Sequence, residues 1–418
     1  MRSLTLKTLL SMVLVLAMTS LGIAAQVKVV MLAEYRPAYL EWQEQMVAEF
    51  EQANPHIDIE LVPTTGSTVA QKMQVMLAGN TPIDIGFMDP YLILDWARLG
   101  IIEDLTPYVQ QNASQFQDFY PAVFDMFRLD QGLYALPFDF QLGAVFYNVD
   151  QYYNAGLAQP KPGWTYEDLM RNAKRLTMKN SEGAVTRYGY RIPSNRNWAP
   201  VIWAFGGDLV DDWNDPQAFI GDSTPVVRAL EWLAEMVSSE AAPNKALNNS
   251  FPLAGGFANQ TLAMVQSNSV SMDTFSSIDA FTWDVAPLPE GPGGKGNYVN
   301  AIGWFMFSSS KVKAETWEVL KFFSSREALQ KRVEMTGVVP PSARVIQTAW
   351  LPSRTMPVSR ASLLTGIEQA RSPYTLTRDL WTVLETHTLQ AIWGETAISA
   401  ALANMSDQFK VVSATLQQ

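Results

Sequence analysis

Near its start the chain repeats one unit: a short apolar run rich in β-branched residues, then an amphipathic stretch of helical period, then a breaker. Val27 to Leu32 is such a run, and Leu40, Met46, Val47 and Phe50 recur at helical spacing until Asn54-Pro55 stops the pattern. Ile57 to Val62 alternates as a strand, and the helix carrying Val69, Met73, Met76 and Leu77 closes at Gly79-Asn80. Ile83 to Met88 is a third strand and Leu92 to Leu99 a third helix, ended by Gly100. This alternation predicts an α/β lobe with a parallel sheet and right-handed crossovers. Ligands of such sheets bind just beyond the carboxyl ends of the strands. Here those ends are Ala33-Glu34-Tyr35, Pro63-Thr64-Thr65-Gly66 and Asp89-Pro90.

At 418 residues and 48% hydrophobic, the chain exceeds the size at which one core stops growing, so two lobes are expected. Arg2 and Lys7 precede an uncharged run from Thr8 to Ala25 that ends in Gly22-Ile23-Ala24-Ala25, the pattern of a signal peptide cleaved near Ala24 or Ala25. Its strongly apolar part, Leu9 to Met18, is shorter than the roughly 20 residues that cross a bilayer. With no cysteine there is neither a lipid-attachment site nor a disulfide, which points to a free periplasmic protein. The net charge of −11 becomes −13 without Arg2 and Lys7, and such a surface repels phosphate backbones, so nucleic acid is excluded as a partner. The 13 Trp residues matter more, because a sugar ring has an apolar C–H face that an indole can cover.

Catalytic and metal patterns are scarce. The two His residues stand apart: His56 reads as a surface residue at the Pro55 turn, and His387 as a helix-surface or lobe-contact residue. The Gly-rich stretch Pro287 to Gly296 lacks the phosphate-loop spacing, since Lys295 precedes Gly rather than a hydroxyl residue. No Gly-x-Ser-x-Gly elbow occurs. The acidic pairs Glu103-Asp104 and Asp211-Asp212 read as solvated turns, with glycosidase carboxylates as the alternative. No cofactor, no metal and no catalysis are expected.

Three stretches resemble a known family: Gly132-Leu133-Tyr134-Ala135-Leu136-Pro137-Phe138-Asp139, Phe146-Tyr147-Asn148-Val149-Asp150, and Pro162-Gly163-Trp164 through Leu176-Thr177. They are similar to the extracellular solute-binding proteins of ABC importers, in particular the maltose-binding-like, carbohydrate-preferring family 1. Phe257 to Val265 is similar to that family's F-x-x-G-x-x-A-M segment, with Gln260-Thr261 where Gly is usual. Val299-Asn300-Ala301-Ile302-Gly303-Trp304-Phe305-Met306 resembles the return strand, Gly337 to Pro341 follows it, and Leu380-Trp381 through Gly394 with Ala400-Ala401-Leu402 resembles the carboxy-terminal helices. The resemblance implies a two-lobe periplasmic-binding-protein fold with a hinge and discontinuous lobes: 1–25 signal peptide, 26–137 plus 299–345 lobe 1, and 138–298 plus 346–418 lobe 2. Helices are expected at Thr165 to Leu176, Pro225 to Ser238, Gly255 to Met264 and Glu315 to Phe323. The crossings fall near Pro137, near Tyr298 to Asn300, and between Ala343 and Leu351.

The implied function is capture of a sugar or oligosaccharide between the lobes by a monomer, with delivery to an ABC permease. The alternatives are a receptor for a polyamine, peptide or glycerol phosphate, or a secreted carbohydrate-active hydrolase. The expected ligand residues are polar Glu34, Thr65, Asp89, Asp139 and Asp273 and aromatic Tyr35, Trp198, Trp203, Trp304 and Trp381. Asp139 would lie on the hinge side of the Leu136-Pro137 step, and Asp273 stands where the family often has an aromatic. Each has a plainer reading, a helix cap or turn for the polar residues, Asp89 before Pro90 above all, and core packing for the aromatic ones. Amino-terminal sequencing of the exported protein should begin near Gln26; a start at Met1 would remove the signal-peptide reading.

Overall fold

The computed structural model describes residues 26–34, 36–64, 68–193, 195–250, 253–352 and 356–416. The expected signal segment, Tyr35 and Thr65 lie outside these residues. The repeating unit at the start of the chain builds β1 (Val27–Glu34), α1 (Pro37–Ala53), β2 (Ile57–Thr64), α2 (Val69–Ala78), β3 (Ile85–Met88) and α3 (Pro90–Arg98). Strands β2 and β3 both pair with β1 in parallel, as the helices between them require. Proline opens α1 and α3, where a missing N–H costs nothing.

The rest of the sheet is antiparallel. After a run of short helices comes β4 (Leu136–Asn148), then α4 (Tyr166–Leu176), α5 (Thr224–Ser238), β5 (Met264–Asn268), β6 (Trp283–Pro287) and β7 (Val299–Met306). Four longer helices follow: α6 (Lys313–Phe323), α7 (Arg326–Thr336), α8 (Arg378–Ile392) and α9 (Ile398–Leu416). The strand order is β6-β4-β7-β3-β1-β2, with β5 also paired to β4. The sheet is therefore mixed rather than parallel throughout, because β7 re-enters beside β3 from the opposite direction.

One strand holds the two halves together. From Leu136 to Leu142, β4 pairs with β7; from Gly143 to Asn148 its partners are β5 and β6. The change of partner thus falls at Leu142–Gly143, a few residues beyond the Leu136-Pro137 step. Two apolar cores lie around it. The first gathers Trp42, Phe87, Phe138, Trp304, Phe305 and Phe323, and extends under the far half of β4 through Phe146, Phe275 and Trp283. The second gathers Tyr147, Tyr152, Tyr166, Trp198, Leu233, Trp381 and Met405. Val145 and Tyr147 face one core and Phe146 the other, as strand alternation demands.

Local chemistry explains some element ends. Thr165 and Asp168 form a reciprocal cap at the start of α4, with Thr165 N–H donating to Asp168 Oδ2 at 2.9 Å and Asp168 N–H to Thr165 Oγ1 at 3.1 Å. The helix expected from Gly255 to Met264 stops instead at Ala258 and gives way to β5. Gln260 is the cause: its φ of 60° is a left-handed turn, the conformation that makes Gly usual there. His56 is exposed, whereas His387 is buried and bonded to Gln390 at 2.9 Å.

Gly143 stands where β4 changes partners, and a Cβ there would lie 2.7 Å from Tyr298 and 2.8 Å from Leu288. Gly143→Ala should destabilise the protein by about 1–3 kcal/mol through overpacking. Urea unfolding with an unchanged midpoint would show that the crossing tolerates a side chain.

Candidate ligand site at the strand crossing

Buried amides interrupt the apolar strands at the crossing. Gln141 and Asn300 are opposite neighbours on β4 and β7, and Asn268 ends β5. Asn300 Nδ2 donates to Asp89 Oδ1 at 2.9 Å and lies 3.5 Å from Gln141 Oε1; Asn268 Nδ2 donates to Gln141 Oε1 at 3.0 Å. This row joins the parallel half of the sheet to the other half through side chains alone. Asn300 is 1% exposed and its Oδ1 has no partner, so one acceptor in the row remains open. A buried, unpaired acceptor costs roughly 1–3 kcal/mol, which a ligand hydroxyl would recover.

A second chain of bonds runs alongside. Tyr190 Oη donates to Gln266 Oε1 at 2.8 Å, Gln266 Nε2 to the carbonyl of Asn197 at 2.6 Å, and Tyr298 Oη to Asn197 Oδ1. Next to Asn197, the Arg196 guanidinium donates to the carbonyls of Pro373 and Leu376. It lies 4.7 Å from the Trp381 ring and 5.2 Å from each of the Tyr374 and Tyr91 rings. Tyr91 belongs to the first turn of α3, so Arg196 reaches from one lobe to the other. Burial raises the pKa of Asp89, against the pull of Asn300 and Arg196; burial likewise raises that of Glu385 and lowers that of Arg196.

The expected residues divide into those that join this cluster and those that do not. Asp89 sits at the N-cap position of α3, yet its carboxylate makes no cap bond and turns instead to Asn300. Trp381 borders the cluster beside Arg196, and Trp198, fully buried, stacks on Trp381 at 4.8 Å and 20°. Trp203 is buried, bonded to Asp208 at 3.2 Å, and covered by Arg371 at 4.3 Å. Trp304 packs in the first core, stacked on Phe138 at 4.3 Å. Asp273 stands exposed on the short helix Ser271–Phe275.

Glu34 and Asp139 form a separate charged group. Glu34 pairs with Arg36 at 2.5 Å, and Asp139, 1% exposed, lies 3.9 Å from Arg332 of α7. The Arg332 guanidinium is boxed by Tyr39, Trp42 and Phe138, each within 4.8 Å. Burial pushes the Asp139 carboxyl up to about 6, although Arg332 and Arg36 pull it down, with Glu34 and Asp89 adding repulsion. The acidic pairs noted in the sequence serve structure: Asp104 Oδ1 accepts from Thr106 N–H at 2.8 Å, and Asp211 Oδ1 from the amides of Asp212, Gln217 and Ala218 at 3.0 Å each. Among the described residues no cluster of three or more His, Asp or Glu could hold a metal ion, and no helix is long and apolar enough to cross a membrane.

Gln141, Asn268, Asn300, Tyr91 and Tyr374 were not singled out from the sequence. The available signal was an amide inside an otherwise apolar strand, Phe-Gln-Leu in β4 and Val-Asn-Ala in β7, which is costly unless paired or used.

Two lobes sharing one crossing strand, with a polar row at the crossing and aromatic rings on its flank, define a two-lobe binding protein. Residues 34–330 match the model of the bacterial extracellular solute-binding protein family, and the chain belongs to that family. A putative binding protein of Brucella abortus is 24% identical over 339 residues, 78% of each chain. The erythritol/L-threitol-binding protein of Mycolicibacterium smegmatis is 24% identical over 71% of this chain and 66% of its own. Among solved structures, an ABC substrate-binding protein of Listeria monocytogenes in complex with cycloalternan superposes with a TM-score of 0.81 at 22% identity, covering 93% of this chain and 99% of that one. The sugar-binding protein MalE of Xanthomonas citri gives 0.78 at 20% identity, covering 94% and 98%.

Asp139 supplies a pH test. Its folded-state value of about 6 lies above the ordinary 3.8, so the native state holds this proton more tightly than the unfolded chain. The stability it contributes is present below about pH 4 and lost as pH rises through about 6, at most about 3 kcal/mol. Asp139→Asn should flatten that fall in unfolding free energy between pH 4 and 6. Parallel profiles for wild type and variant would show that Asp139 titrates normally.

Proposed function

We propose that this protein captures a sugar or short oligosaccharide between its lobes and hands it to the membrane permease of an ABC importer. The observation that carries the reading is the row Asp89–Asn300–Gln141–Asn268. The carboxylate accepts hydrogen bonds and the carboxamides both give and take them, as a cluster of hydroxyls requires, and this row is fixed by the sheet before any ligand arrives. Arg196 beside it disfavours a polyamine. The names of its relatives agree, since they include polyol and sugar binders.

In this reading lobe 1 comprises 26–137 plus 299–345 and lobe 2 comprises 138–298 plus 346–418, with residues 1–25 removed on export to the periplasm. The protein acts as a monomer and alters no bond in its ligand. Contacts from both lobes, Asp89 and Tyr91 on one side and Arg196, Asn197 and Asn268 on the other, make the closed form the one a ligand stabilises.

A thermal-shift screen against sugars and polyols should raise the melting temperature for the cognate ligand. Gln141→Ala should then weaken binding by about 1–3 kcal/mol, roughly 5- to 150-fold in Kd, and, because it also strands the Asn268 and Asn300 amides, affinity is to be measured at a temperature where the variant is shown to be folded. Wild-type affinity in that variant would move the site away from the crossing. Recovery of a cleaved sugar would identify a hydrolase instead.

A further inference from the structure

The outer face of α3 joins the two cores through side chains alone. Its inner positions Ile93, Trp96 and Ala97 are buried in the first core, while Tyr91, Asp95 and Arg98 stand at i, i+4 and i+7, one stripe of the helix outside that core. Each end of the stripe meets a group held with the second core. The Tyr91 ring lies 5.2 Å from the Arg196 guanidinium, and two turns farther on Arg98 Nη2 donates to the carbonyl of Asn214 at 3.2 Å. Arg196 lies 4.7 Å from the ring of Trp381, and Asn214 follows Trp213 in the chain; both Trp residues belong to the second core.

The groups on both sides are held in place by bonds of their own. Arg196 donates to the carbonyls of Pro373 and Leu376. Asn214 is part of a turn in which Asp212 Oδ1 accepts from Asn214 N–H at 2.8 Å, while Asp211 Oδ1 accepts from the amides of Gln217 and Ala218 at 3.0 Å each. On α3, Asp95 Oδ1 accepts from Arg98 Nη1 at 3.2 Å and leaves Nη2 for Asn214. Between the two contacts the surfaces do not pack. A cavity of about 130 Å³ separates α3 from the start of α8, lined by Asp95, Arg98, Gln217, Thr377 and Leu380. Asp95 is repelled there by Asp379 and attracted by Arg196. Polar, partly exposed contacts with a gap between them separate at far lower cost than a continuous apolar interface, whose strength grows with the area it buries.

We infer that Tyr91 and Arg98 form a separable clasp between the lobes, a pair of protein–protein contacts that favours the closed arrangement and so sets affinity without choosing the ligand. The inference takes from the reading above only the hinge between two lobes, and adds to it an affinity-setting residue, Arg98, away from the polar row. Arg98 stands nine residues beyond Asp89, about 13 Å along a helix axis. A ligand that prefers the closed form has an apparent Kd inversely proportional to the fraction of protein already closed. Loosening the clasp therefore weakens every such ligand by one common factor.

Spin-label distances test this on the chain from Gln26 with no sugar added. The sequence has no Cys, so Val75→Cys on α2 and Val411→Cys on α9, both at exposed positions, place one label in each lobe. With the clasp intact, pulsed electron spin resonance should give a narrow peak at the separation these two sites have in this structure. Arg98→Ala and Tyr91→Ala should each raise the weight of longer distances several-fold, and the double variant most of all. Arg98 is exposed and Tyr91 half-buried, so neither change opens a core, and an unaltered far-UV circular dichroism spectrum checks that each variant is folded. Coincident distributions in all four proteins would overturn the clasp, as would a broad, long distribution with the clasp intact. No ligand enters the measurement, so failure of every sugar in the thermal-shift screen would remove the sugar-binding reading and leave this result unaffected.

Discussion

The structure depends on one strand being hydrogen-bonded in two places at once. Over Leu136–Leu142, β4 is part of a sheet with β7 and, through it, the parallel strands; over Gly143–Asn148 it belongs to β5 and β6. Neither half of the sheet can lose β4 without exposing unpaired backbone groups, so both lobes are tied to a common axis. At the same time very few chains cross between them, and motion about such a narrow connection is the least costly deformation the fold allows. Gly143 marks the place where the neighbours Tyr298 and Leu288 leave no room for a side chain.

The polar row follows from that arrangement. Amides in the middle of a sheet are expensive, and Gln141, Asn268 and Asn300 are tolerable only because they bond to one another and to Asp89. They sit at the level of the sheet where β4 changes partners. Asp89 shows the priority: a residue placed to cap a helix gives up that bond and holds Asn300 instead.

The second consequence concerns charge and aromatic content. Arg332 lies in a box of three aromatic rings with Asp139 at 3.9 Å, too far for a short bond, and burial lowers the pKa of Arg332 while raising that of Asp139. Such a group stabilises little and fixes much, holding α7 against α1 and β4. The Trp surplus is used in the same way, to fill two cores and to brace Arg196 and Arg371, rather than to present open platforms.

Several features of the fold are legible in the sequence itself. Periodicity and breakers alone placed the β1-α1-β2-α2-β3-α3 order, because strand and helix periods are local properties. The two-lobe class came from the resemblance, and the family match agrees with it. The strand-end position of Asp89 is readable in the sequence, while its bond from Asn300 is seen only in the structure. Other features were decided only in three dimensions. Whether a Trp lines a cleft or a core depends on what covers its faces, and Trp198 and Trp381 cover each other across nearly half the chain's length. The antiparallel return of β7, the helix cut short at Gln260 and the row formed by Gln141, Asn268 and Asn300 all depend on pairings between distant segments. Local propensity carries no information on those pairings, because hydrogen bonds and packing between remote residues exist only once the chain has closed on itself.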